Sequence, residues 1–324
     1  MVTETKPSVF ARNHLLRDAS LLALYDAMAA DSSVHLFGEG ARVKMHYDAP
    51  KIEVDFSDRV HTMPICEDGS TNFAVGASLL GVKPVVDVIS ADFLYRTLDS
   101  ICNTAAKLNF VLGPWRTPST IVIRAEFLTG GPTTGQRPEA LFAHIPGLRV
   151  VIPSTPRDAY GLMRSALETP GVTLYFEDRM IEDMGAWALA DLALGEKVDF
   201  GSALLRSPSH LGRTTIVTYG LMRQRVEALD LGSGVLDLRS IYPIDWAAIR
   251  ASIRDSGQVL IVEPDVAYGG VGAEIAAHLA EEMPWVRIRR LGARRSTIPA
   301  SLNLHSQSLP SDEEICRAAS YLIP

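Results

Sequence analysis

The feature that most restricts what this chain can fold into is an alternation of short, almost wholly apolar β-branched runs with longer helical patterns. Val34-His35-Leu36-Phe37, Val85-Val86-Asp87-Val88-Ile89, Thr120-Ile121-Val122-Ile123, Val150-Val151-Ile152 and Val172-Thr173-Leu174-Tyr175-Phe176 are punctuated by Gly, Pro or Ser. Strands apolar on both sides belong inside a mostly parallel sheet with helices covering both faces. Helical spacing predicts helices over 14–30, 71–81, 93–112 and 156–168. The last opens on Ser154-Thr155-Pro156-Arg157-Asp158, where Pro falls in the first turn. Together these elements make one doubly wound α/β domain ending near Met180.

From Glu182 to Ser209 the pattern loosens into Gly, Ala, Asp and Ser, as in a connector running over a surface. A second, smaller α/β unit then begins. Its strands are Thr215-Ile216-Val217-Thr218-Tyr219, Gly234-Val235-Leu236-Asp237-Leu238, Gln258-Val259-Leu260-Ile261-Val262 and Val286-Arg287-Ile288, with a final helix after Pro310-Ser311-Asp312-Glu313-Glu314. At 324 residues and 47% hydrophobic, the chain exceeds one core of usual size. The expected boundaries are 1–185 for the first domain, 186–209 for the linker and 210–324 for the second domain.

Charge narrows the function classes. With 31 basic against 38 acidic residues the formal charge is −7, which argues against a surface built to neutralise nucleic-acid phosphates. Arg287, Arg289, Arg290, Arg294 and Arg295 alternate with apolar residues and read as a solvated face or interface edge. Met1 to Arg12 lacks the apolar core of a secretory signal, and no apolar stretch approaches the ~20 residues that span a bilayer. A cytoplasmic protein is expected. Cys66, Cys102 and Cys316 are too few and too scattered for a disulfide framework or a CxxC metal pair, so buried free thiols are the default reading. Cys66 stands beside the best catalytic candidate, but the sequence displays no base to activate it.

Several stretches carry a resemblance in a fixed order. Pro64-Ile65-Cys66-Glu67 with Phe73-Ala74-Val75-Gly76-Ala77-Ser78 is the first. Ala91-Asp92-Phe93, Leu98-Asp99 and Asn103-Thr104-Ala105-Ala106-Lys107 form the second, and His144-Ile145-Pro146-Gly147-Leu148-Arg149-Val150-Val151-Ile152-Pro153-Ser154-Thr155-Pro156 is the third and most specific. The carboxyl-terminal half adds Asp237-Leu238-Arg239-Ser240-Ile241-Tyr242-Pro243-Ile244-Asp245 and Gly269-Gly270-Val271-Gly272-Ala273-Glu274-Ile275.

Read together, from about Leu16 to Ile323, they resemble the β subunit of the thiamine-diphosphate-dependent dehydrogenase component of pyruvate, branched-chain 2-oxo acid and acetoin dehydrogenase complexes. That family lies within the transketolase superfamily. The resemblance implies a pyrimidine-binding transketolase-like first domain and a transketolase C-terminal-like second domain. It implies that Glu67 hydrogen-bonds the aminopyrimidine ring of thiamine diphosphate, that Phe93 stacks on that ring and that Ile65 lines the same pocket.

The chemistry suits those residue types. A carboxylate against the ring nitrogen holds the pyrimidine in the imino form that deprotonates the thiazolium carbon. Helix N-terminal N–H groups favour the charged form of Glu67 while an apolar ring favours the neutral one, an opposition that suits proton sharing. The competing bland reading makes Glu67 a helix cap near Asp68 and Ser70, and Phe93 an ordinary core aromatic.

The superfamily grips the diphosphate and magnesium with a Gly-Asp-Gly stretch followed by Asn, and no such string occurs here. The anion and Mg2+ site is therefore expected on an α subunit, in an α2β2 heterotetramer.

The chain departs from the family between Arg124 and His144, where it reads Glu126-Phe127-Leu128-Thr129-Gly130-Gly131-Pro132-Thr133-Thr134-Gly135-Gln136-Arg137-Pro138-Glu139-Ala140. Thr134 stands where the family has a proton-handling His. Arg137 is expected to bring a guanidinium to the substrate mouth, able to bind a carboxylate or phosphate through two hydrogen bonds. Thr134 and Arg137 are thus the substrate-binding candidates. His144 reads as structural, and the roles of His35 and His61 stay open.

The leading reading is 2-oxo acid decarboxylation with acyl transfer to a lipoyl carrier. The alternatives are transketolase-like two-carbon ketol transfer from a ketose phosphate and a non-catalytic partner subunit.

Overall fold

The structure is a computed structural model that describes residues 15–39, 52–113, 117–182, 194–206 and 214–322. Met1 to Arg12, much of the expected linker and Ile323 fall outside these residues. The strands in chain order are β1 Val34–Gly38, β2 Val60–Thr62, β3 Lys83–Ser90, β4 Thr120–Phe127, β5 Leu148–Val151, β6 Gly171–Asp178, β7 Leu204–Arg206, β8 Thr215–Thr218, β9 Gly234–Asp237, β10 Ser240–Tyr242, β11 Gln258–Val266 and β12 Arg287–Ala293.

Among the described residues these strands form a seven-stranded sheet, ordered β10-β5-β6-β4-β3-β1-β2, and a five-stranded sheet, ordered β12-β11-β8-β9-β7. Neighbours are parallel except where β10 meets β5 and β7 meets β9. Central β4 is buried along its whole length, as its two-sided apolar pattern requires. The helices Leu15–Ala30 and Pro156–Glu168 pack together beside the first sheet and bury Leu16, Ala23, Leu24, Leu162 and Met163. Helix starts follow local chemistry. The Thr155 hydroxyl accepts from the Asp158 N–H at 3.0 Å. At the last helix, Asp312–Leu322, the Ser311 hydroxyl accepts from Glu314 N–H while the Glu314 carboxylate accepts from Ser311 N–H.

Four observations revise the expectations. The helix expected over 71–81 runs Glu67–Ser78, so it begins on the carboxylate of interest. The single helix expected over 93–112 is three pieces: a 3-10 turn Ala91–Thr97, a wide π segment Asp99–Ala105 and an α-helix Ala106–Leu112. Within the expected connector, Leu204–Arg206 forms β7 and closes one edge of the second sheet. Finally, β10 comes from the second half of the chain yet adds to the first sheet, covering the exposed edge of β5 and joining the two units. No helix among the described residues is long and apolar enough to cross a membrane.

Late in β3 the chain bends. Ile89 adopts φ 67°, a left-handed conformation that a β-branched residue rarely takes, at an irregularity in the β3–β4 ladder. The bend delivers Ser90, Asp92 and the 3-10 turn to the carboxyl end of the sheet, the usual ligand side of a parallel α/β sheet.

Candidate active site

Two elements meet at that end. The first is the start of the helix Glu67–Ser78. Cys66 occupies the N-cap position without a side-chain cap bond, and Glu67, buried, is the first helical residue. Glu67 therefore does not cap the helix; it sits at the positive end of the helix dipole, where a carboxylate is favoured. The second is the 3-10 turn. With about three residues per turn, Phe93 and Arg96 share one side of it. Ile65, Glu67, Phe93 and Arg96 line one cleft of about 410 Å³, together with Asp92, Thr133 and Gln136. Ile65 is 86% exposed, so its apolar side chain is open at the cleft. Arg96 Nε lies 3.3 Å from Glu67 Oε2.

Asp92 is the residue that sequence reasoning passed over. Its carboxylate accepts from the backbone N–H groups of Gly135 at 3.1 Å and Gln136 at 3.0 Å, and from the Ser90 hydroxyl at 2.9 Å. It thereby pins the loop that forms the opposite wall of the cleft. The second unit braces the same loop. Gly135 has φ 107°, and a Cβ there would stand 2.6 Å from Ile298 Cγ2 and 3.2 Å from His305 Cε1. The Asp of the Ala-Asp-Phe string was visible in the sequence, but the loop it pins lies more than forty residues away, as the Gly135 and Gln136 contacts show.

The two loop residues singled out for substrate stand elsewhere. The Thr134 hydroxyl accepts from the Gly131 N–H at 2.9 Å and closes its own turn. The loop's contribution to the cleft is Thr133 and Gln136. Arg137, with its side chain 5% exposed, pairs with Asp178 and lies over the Phe127 ring at 4.3 Å. A guanidinium this buried is costly unless it is paired, so it took the nearest carboxylate rather than the mouth. Burial alone would lower Arg137; the attractions of Asp178 and Glu139 outweigh it and hold the group charged more firmly than usual.

Behind Arg137 lies a separate cavity of about 160 Å³ between the two units, lined by Tyr95, Arg137, Asp265 and His305 among others. Burial pushes Asp265 up to about 6 and, on the same strand, Glu263 up to about 7. Glu139 is raised by burial and further by the charge of Asp265; it faces the Tyr219 hydroxyl at 3.4 Å.

The remaining candidates resolve plainly. His35 Nδ1 and His61 Nε2 are 3.0 Å apart, and the His61 ring stacks on Phe37, 4.6 Å between centroids. Burial, with Arg59 nearby, holds His35 below its ordinary value. His144 ends the short helix Glu139–Ala143 and lines a groove of about 560 Å³ between the units, away from the cleft. Cys66 is exposed rather than buried. Among the described residues no group of His, Cys, Asp and Glu is arranged to hold a metal ion.

Glu39 completes the electrostatics of the cleft. It is raised by burial and then by the charge of Glu67, with Arg96 acting in the opposite direction. The cleft is thus an acid-rich pocket with apolar faces.

Residues 14–181 match the family described as the transketolase pyrimidine-binding domain, and residues 209–315 match the transketolase C-terminal domain. The pyruvate dehydrogenase E1 component subunit beta-2 of Oryza sativa subsp. japonica, a mitochondrial protein, is 31% identical over 96% of this chain and 87% of its own. The 2-oxoisovalerate dehydrogenase subunit beta of Bacillus subtilis is 32% identical over 82% of this chain and 83% of its own. A solved split-gene transketolase, an inactive β4 tetramer, superposes with a TM-score of 0.77 over 95% of this chain and 97% of that one; at 20% identity the likeness is one of fold.

Proposed function

This chain belongs to the transketolase superfamily, among the β subunits of 2-oxo acid dehydrogenase E1 components, and from that premise we propose that it supplies the pyrimidine half of a thiamine diphosphate site. The observation that carries the reading is the convergence of Ile65, Glu67 and Phe93 on one cleft from two separate elements. Their chemistry fits an aminopyrimidine: an apolar residue and an aromatic face for the ring, and one carboxylate for its nitrogen edge. When bound, the cofactor supplies the carbon nucleophile that attacks a carbonyl next to the bond to be cleaved. With the cofactor in place, Glu67 would hold a proton at its carboxylate toward the ring nitrogen, and the dipole of its helix would steady the charge left on it. Ile65 and Phe93 would hold the ring against apolar surface and shield the Glu67 carboxylate from water. Asp92 holds the loop wall in register above them.

The chain carries no Gly-Asp-Gly string, so the diphosphate and Mg2+ belong on an α-type partner, in an α2β2 heterotetramer. The favoured reaction is decarboxylation of a 2-oxo acid with acyl transfer to a lipoyl carrier. One observation keeps ketol transfer as the second reading: the position expected to bear a proton-handling imidazole is Thr134, whose hydroxyl is turned to Gly131. Product analysis on the chain co-purified with its α partner separates the two. Carbon dioxide released from a 2-oxo acid supports the first, and two-carbon transfer from a ketose phosphate supports the second. A complex that binds cofactor and does neither leaves the chain a non-catalytic partner.

A further inference from the structure

The cleft poses an electrostatic problem. Its lining includes the carboxylates of Glu67 and Asp92, and Glu39 lies close enough to feel both Glu67 and Arg96. An anionic substrate entering here meets like charge. Among the residues lining the cleft Arg96 is the one cation. Arg137, the guanidinium the sequence offered for this work, is buried against Asp178.

Arg96 has the geometry for the task. Its side chain is 72% exposed against 8% for its partner Glu67, and the two meet through a single nitrogen, Nε, at 3.3 Å. Among the described residues no hydrogen bond from the two terminal nitrogens of the guanidinium is found, and the side chain lines the cleft. Placement is fixed by the 3-10 turn, which sets Arg96 three residues beyond Phe93 on the same side. Among the described residues Asp92 forms no ion pair with Arg96; its oxygens accept from Ser90, Gly135 and Gln136.

We infer that Arg96 is the anion-binding residue of this cleft, taking the carboxylate of a 2-oxo acid or the phosphate of a sugar phosphate through its terminal nitrogens. The inference rests on the cofactor reading above and names the substrate class that goes with it. With Nε on Glu67 Oε2, the two terminal nitrogens remain for the substrate. A planar fork matches both oxyanions through two parallel hydrogen bonds, which a lysine cannot reproduce.

The test uses the complex with the α-type partner, loaded with thiamine diphosphate and Mg2+, as wild type, Arg96→Lys and Arg96→Leu. Calorimetry measures binding of oxamate, a non-cleavable 2-oxo acid mimic, and of inorganic phosphate; steady-state kinetics give KM and kcat. Tryptophan fluorescence follows cofactor binding independently of turnover. Arg96→Leu is expected to weaken one of the two probes about ten- to a hundredfold, to raise KM by a similar factor, and to leave kcat and cofactor affinity within about threefold. Arg96→Lys falls between. Loss of oxamate alone identifies a carboxylate substrate, and loss of phosphate alone identifies a phosphorylated one. Probe affinities and KM that ignore both substitutions, with any loss confined to kcat or cofactor affinity, overturn the inference and leave Arg96 as a prop for Glu67. A wild-type complex that takes up no cofactor overturns the function reading instead, so the two failures are told apart.

Discussion

Arg124 and Arg96 lie at the same end of one sheet and use the same guanidinium in opposite ways. Arg124, on β4, has a side chain 2% exposed and is encircled by Asp87 at 3.2 Å, Glu126 at 3.1 Å and Glu177. The ring is closed further by Arg179 on Glu126 and Ser20 on Glu177. Burial by itself would lower Arg124, but Glu177, Asp87 and Glu126 together hold it above its usual range. Arg96 stands just beyond β3, largely in solvent, with one contact to one carboxylate. The difference teaches where binding capacity remains. A charge whose partners are all internal ties strands together, whereas a charge with donors to spare can still meet a ligand.

Substitutions break that comparison at different strengths. Glu67→Ala has the largest expected effect: turnover of the assembled complex falls about a hundredfold to ten-thousandfold, while the thermal unfolding midpoint stays near that of wild type. Activity that survives within tenfold contradicts the role given to Glu67. On the other side, Arg124→Met removes the cation that Asp87, Glu126 and Glu177 share and is expected to cost about 3–5 kcal/mol in denaturant unfolding. A cost under about 1 kcal/mol would show that water relieves the network.

Titration sharpens the same contrast at the junction of the two units. Asp265 at about 6, Glu263 at about 7 and the raised Glu139 hold protons in the folded state that the unfolded chain releases at ordinary carboxylate values. Their contribution is complete at acid pH and is lost as pH rises through these folded values. His35 and His305, held below their ordinary value of 6.5 chiefly by burial, are neutral in both states above it. Asp31, lowered to about 2 by Ser33 and Lys83, is ionised throughout. The unfolding midpoint should therefore fall between about pH 6.5 and pH 7.5, chiefly as Glu263 ionises, since Asp265 has lost most of its proton by then, with a slope of up to about 1.4 kcal/mol per pH unit for each acid still protonated in the fold. A flat or rising midpoint across that window would show that these acids are solvated. The smallest effect belongs to an exposed pair: removing Arg250 from Glu282, 2.9 Å away on the surface, should change stability by under about 0.5 kcal/mol.

That Glu67 and Phe93 meet at one cleft was legible because the residues that single them out are their near neighbours in sequence. The doubly wound core was legible for a similar reason, since two-sided apolar runs admit few other arrangements. Arg96 was hidden by treating 93–112 as one α-helix. The shift to a 3-10 turn comes from packing against β3, β4 and the helix Glu67–Ser78, contacts that no local pattern encodes. Arg137 misled because a place at the substrate mouth left out a buried partner, Asp178, on a strand 41 residues later. The three residues of β10 are too short a run to be read as a strand, and their place in the other unit's sheet is decided by the open edge of β5.

The central claim is that one carboxylate of this chain holds the cofactor's ring while another polypeptide holds its phosphates. Equilibrium titration of thiamine diphosphate with Mg2+, followed by tryptophan fluorescence, tests it on this chain alone, on the complex with its α-type partner, and on the complex carrying Glu67→Gln. The account predicts tight, saturable binding only in the complex, weakened about tenfold or more by the substitution. Equal affinity in the substituted complex, or full affinity in this chain by itself, would contradict it.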